Sequence, residues 1–129
     1  MKTNTLLKSV FILGVVIDGG IALSWFLIAA GWQIPNILNG YTGSGEDYQL
    51  VMYTAAMFMA SWAVLLAWGA LKPTERKDLL LIASGFLLLS VIIELLMFSN
   101  VFGGYLLFFG ITKKVIISGI FITAYCYFS

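Results

Sequence analysis

Four apolar stretches, divided by three short polar breaks, fill most of this chain. They run over approximately 9–32, 48–71, 78–98 and 105–128. A helix needs about 20 such residues to cross a hydrocarbon core about 30 Å thick, and each stretch has that length. The pattern predicts an all-α integral membrane protein. It is expected to be a four-transmembrane-helix bundle forming a single transmembrane domain over 1–129.

The breaks carry the chemistry of helix ends. Lys2 and Lys8 precede the first stretch, which is too long for a signal-peptide core and contains Asp18, so it reads as a retained helix. The segment 33–47 holds Pro35, Asn36, Gly43, Ser44 and Gly45 and ends in Glu46 and Asp47, which is loop composition. Its Gly-Ser-Gly follows a helix and lacks the Gly-Lys-Ser/Thr of a phosphate loop, so it reads as a connector. Pro73 stops the second helix. Thr74 is placed to cap the third by accepting the Lys77 amide proton. Asn100, Gly103 and Gly104 end the third.

Charge placement sets an orientation. Lys2, Lys8, Lys72, Arg76 and Lys77 fall on one side of the array, whereas 33–47 has no lysine or arginine. Positive loops stay inside, so both termini are expected in the cytoplasm. Lys113 and Lys114 disturb this arrangement. A last span starting after them is too short, and one starting at Tyr105 holds both lysines inside the membrane. A re-entrant segment over 100–112 is the third possibility. The full span from Tyr105 is the reading adopted.

Composition narrows the function classes. Hydrophobic residues are 61% and charged residues 10% of the 129, against about 45–50% and about 25% in soluble domains. Mean hydropathy is +1.01, so the bilayer is the expected main partner. A net charge of +1 gives no basic field for nucleic acid. The chain has no histidine and a single cysteine, Cys126. Haem ligation, a disulfide and a CxxC site therefore have no support, and no cofactor or metal is implied. No nucleophile with a base and no nucleotide motif is visible, so an enzyme is not expected.

The candidate chemistry lies in charges within the apolar stretches, which are costly there and mark functional sites. At about 1.5 Å per residue, Asp18 lies roughly 13 Å and Glu94 roughly 22 Å from the cytoplasmic face. Lys113 lies about 18 Å from the same face, level with Glu94. Lys114, about 100° further around its helix, is left to reach toward Asp18. Asp18, Glu94, Lys113 and Lys114 are thus the ion-pair candidates. Trp25, Tyr53, Trp62 and Ser90 are candidates to line a pathway. Small residues, with Gly14, Ala22 and Ala29 beside Asp18 and Trp25 in the first helix and Ala56, Ala60, Ala63, Ala67 and Ala70 in the second, offer close-packing faces.

The reading adopted is a structural or accessory component of a prokaryotic cytoplasmic membrane, assembling with itself or with partner membrane proteins through intramembrane charges. The alternative is a small proton- or ion-coupled transporter using Asp18, Glu94 or both.

Overall fold

Each apolar stretch forms one continuous α-helix. In lipid no water is at hand for backbone N–H and C=O groups, and a helix satisfies them internally. The computed structural model describes residues 2–38, 41–97 and 104–127. It contains α1 (Lys2–Ala29), α2 (Glu46–Leu71), α3 (Asp78–Met97) and α4 (Gly104–Tyr127), with no strand among the described residues. All four are long and apolar enough to cross a membrane. Large apolar side chains such as Val16, Leu50, Val64, Leu96 and Phe108 are exposed on their outer faces. A bundle built for water would carry polar residues there, so the four helices suggest a multi-pass membrane protein. The expected break at Asn100 and Gly103 lies outside the described residues.

The helix ends have local causes. α1 begins at Lys2, well before the expected start at 9, because nothing between Lys2 and Ser9 breaks a helix. Ser9 Oγ donates to the Thr5 carbonyl one turn back. It also ends at Ala29, not at 32. Gly31, at φ 105°, donates to the Ile28 carbonyl, and the Trp32 amide donates to Leu27. These two bonds close the helix in a Schellman motif, which needs the left-handed glycine.

α2 ends at Leu71, two residues before Pro73. The Arg76 guanidinium donates to the Trp68 carbonyl and lies 3.5 Å from the centre of the Trp68 ring. A cation there answers the negative pole of the helix end. Thr74 is not the cap of α3. It is exposed in the turn, four residues before the helix starts at Asp78.

The helices run up, down, up and down as two hairpins, α1–α2 and α3–α4. At the end bearing the 72–77 turn, all four meet in one core. Leu7 and Phe11 of α1 pack with Leu66 and Ala70 of α2, Leu80 and Ala83 of α3, and Phe121 and Ala124 of α4. Backbones come close here. A Cβ on Gly69 would run into the Phe11 ring, and one on Gly14 would sit 2.9 Å from Leu66 and 3.1 Å from Phe121. Glycine at these points lets the aromatic rings seat against the facing helix.

At the opposite end α1 and α2 continue the core. Ile21, Trp25, Ile28, Met52 and Ala56 pack there beneath Ile34 and Leu38 of the connector. Among the described residues no α3 or α4 side chain joins that cluster, and a cleft opens between the two hairpins.

Candidate functional site

The cleft has a volume of about 600 Å³ and takes its walls from all four helices. α1 supplies Asp18 and Trp25, α2 supplies Phe58 and Trp62, α3 supplies Phe86 and Ser90, and α4 supplies Lys114 and Phe121. Leu38 reaches it from the connector. Pockets of about 300–1,000 Å³ with apolar walls and a few polar groups are typical of small-molecule sites. The tight four-helix core forms its floor, since Ala83 and Phe121 belong to both.

The polar groups are set by helix geometry. On α4, Gly110, Lys114, Ser118, Phe121 and Ala124 are all buried, at spacings of four and three. That stripe faces inward and carries Lys114 with it. On α3, Ala83, Val91 and Glu94 are likewise buried. The two inward faces bring Lys114 Nζ onto Glu94 Oε1 in a buried ion pair. Lys114 Nζ also donates to Ser90 Oγ, 2.9 Å away. Only 5% of the Lys114 side chain and 12% of the Glu94 side chain remain accessible, so the pair is close to fully desolvated. Glu94 Oε2 and Ser118 Oγ are buried beside it with no hydrogen bond among the described residues.

This corrects the expected pairing. Lys113 and Glu94 are level in depth, but they are not partners. Successive helical residues diverge by about 100°, and that rotation turns Lys114 inward and Lys113 toward the connector. Lys113 Nζ donates to the Ile37 carbonyl and lies 4.0 Å from the centre of the Phe109 ring. Lys114 also does not pair with Asp18, although both line the cleft. Asp18 is half-buried, and among the described residues it has no hydrogen-bond or ion-pair partner. Glu46, Asp47 and Asp78 stand in first turns at helix ends; of the two acids deep within the apolar stretches, Glu94 is paired and Asp18 is not.

Trp25, Trp62 and Ser90 line the cleft, as proposed for a pathway. Tyr53 does not. It is exposed and stacks edge-to-face on Phe26, with centroids 6.3 Å apart. Trp25 is held by its indole N–H, which donates to Asn36 Oδ1 at 3.1 Å; the same oxygen accepts the Leu38 amide at 2.9 Å. One asparagine therefore fixes both an aromatic wall and the connector residue at the mouth.

Sequence reasoning passed over Phe58, Phe86 and Phe121, because an aromatic in an apolar stretch looks the same whether it faces lipid or a cleft. The inward role of Lys114 did leave a signal. The small and polar residues Gly110, Lys114 and Ser118 repeat every four positions, and Lys113 breaks that repeat.

Among the described residues no three His, Cys, Asp or Glu side chains gather as metal ligands would. Comparison with protein-family models, curated proteins and solved structures finds no match for this chain.

Proposed function

We propose that this chain is a small ion-coupled transporter of the prokaryotic cytoplasmic membrane. Both termini lie in the cytoplasm, and the cleft between its hairpins binds the solute. The observation that carries this reading is Asp18, a carboxylate with no partner among the described residues, on the wall of a cleft lined mainly by aromatic and aliphatic side chains. A carboxylate in such surroundings is stabilised by whatever cation or proton enters, and exchange of one for the other is the elementary step of coupling. The Glu94–Lys114 pair is the structural counterpart. It ties α3 to α4 and neutralises the lysine that shares the cleft wall.

Orientation rests on the basic ends, Lys8 and the Lys72, Arg76 and Lys77 turn, all at the end of the four-helix core. The cleft then faces the outer half of the bilayer, with the 33–47 connector at its mouth.

A second reading draws on the same residue. An uncompensated acid facing an open cleft could receive a basic side chain from a second copy or from a partner membrane protein. The chain would then be an accessory component assembled through Asp18, without solute or catalysis.

Proteoliposomes loaded with a pH-sensitive dye and challenged with a panel of small solutes test the first reading. The expected result is a solute-dependent proton flux that Asp18→Asn abolishes while the variant remains folded. Absence of flux, together with a stoichiometric complex by native mass spectrometry that dissociates in Asp18→Asn, would establish the accessory role instead.

A further inference from the structure

We infer that the cleft selects apolar molecules carrying a single positive charge, of the class of hydrophobic amines. The inference rests on the reading of the cleft as a solute site and names what that site prefers.

Three observations point the same way. The first is the sign of the uncompensated charge. Two ionisable groups line the cleft, Asp18 and Lys114. The lysine donates to Glu94 and to Ser90, so its charge is answered from behind the wall. Asp18 has no such answer, and the cleft as a whole is short of one positive charge. Second, the remaining wall is aromatic. Trp25, Phe58, Trp62, Phe86 and Phe121 line the same cleft as the acid, and the faces of such rings attract cations, tryptophan most strongly. An anion would meet the same ring faces with the opposite sign. The third observation is size. About 600 Å³ is far more than a bare metal ion or a proton carrier needs, and it suits a molecule with an apolar body.

The acid and the rings therefore divide the work. Asp18 takes the ammonium group through a charge-assisted hydrogen bond. The rings hold the hydrocarbon part and exclude water from the pair. At the α3–α4 side Glu94 is already engaged by Lys114, so the cleft offers one free carboxylate and favours a monocation with its charge at the α1 side.

The test uses three probes with one skeleton and different heads: phenylbutylamine as the cation, phenylbutanol as the neutral form and phenylbutanoate as the anion. The full chain is placed in lipid nanodiscs. Binding is read from tryptophan fluorescence, to which Trp25 and Trp62 of the cleft contribute beside Trp32 and Trp68, and empty nanodiscs report simple partition into lipid. The expected result is saturable binding of the amine, about tenfold or more tighter than either other probe, the margin one hydrogen bond to a charged group supplies. Asp18→Asn removes that margin.

Equal binding of the amine and the alcohol, or tighter binding of the butanoate, overturns the charge preference and leaves the cleft as a solute site of another class. The butanoate result would assign ligand recognition to Lys114. No saturable binding of any probe overturns both the preference and the solute-site reading. The comparison of the three probes on the unaltered chain decides the matter even if Asp18→Asn does not fold.

Discussion

The two ends of this molecule are built on different terms. At the end bearing the 72–77 turn, all four helices share one core, glycine lets Phe11 seat against α2, and Arg76 closes the α2 terminus. At the other end the hairpins part. α1 and α2 pack beneath the connector, α3 and α4 hold each other through a buried ion pair, and a cleft with an unpartnered acid lies between them. One end is filled with interlocking side chains. The other keeps space and charge that packing alone would not retain. The charges of the apolar helices thus differ: Glu94 and Lys114 are paired with each other, whereas Asp18 has no partner among the described residues, and on the proposed reading it is kept for a ligand.

The comparison is most sharply broken at the ion pair. Removing one partner from a buried pair costs about 3–5 kcal/mol. Glu94→Gln and Lys114→Met should each lower stability by that order in a chemical or steric-trap unfolding assay. The double variant should regain most of the loss. If Glu94→Gln is instead rescued by Lys113→Met, the inward face of α4 has been assigned one residue off.

The filled end should respond to volume. Phe11→Ala empties the centre of the four-helix core and should cost about 3–5 kcal/mol. Gly69→Ala thrusts a methyl into the Phe11 ring and should cost about 1–3 kcal/mol by overpacking. A matched substitution in the cleft, Phe86→Ala, should cost much less, since that side chain is largely exposed already. Equal losses at Phe11 and Phe86 would mean that the hairpins close on each other in the membrane and that the cleft is not retained.

Lys113 should have a small effect on global stability and a local one on the connector. Its bond to the Ile37 carbonyl is partly exposed. Lys113→Met should therefore change stability by less than about 1 kcal/mol while speeding hydrogen exchange over 33–38. Unchanged exchange there would show that the connector is held by Asn36 and Trp25 without help from α4.

Much of the helical frame was legible in the sequence, because length and apolarity are properties of segments. The end of α2 before Pro73 was readable from a single residue. Other ends were not. The stop at Gly31 depends on a left-handed glycine that looks like any other loop glycine, and Thr74 has the composition of a cap but stands in the wrong place. The candidate site was legible in its residue types and not in its pairings. Depth along a helix follows from counting, which brought Lys113 level with Glu94. Direction around the helix depends on which face packs, and that is fixed by Gly110, Ser118 and Phe121 meeting α3 and the core. The cleft itself was out of reach of the sequence, since it arises from how far apart two hairpins pack. Its aromatic walls are therefore indistinguishable in sequence from lipid-facing residues.

The central claim is that Asp18 is kept for a ligand and does not support the fold. The most direct test is the unfolding free energy of Asp18→Asn, measured beside Glu94→Gln in the same membrane mimetic. With no protein partner to lose, Asp18→Asn should be as stable as the parent chain or more so, because a charged Asp at the centre of a bilayer costs about 2.5–3.5 kcal/mol on insertion scales. A loss comparable to that of Glu94→Gln would contradict the account and make Asp18 a second structural charge.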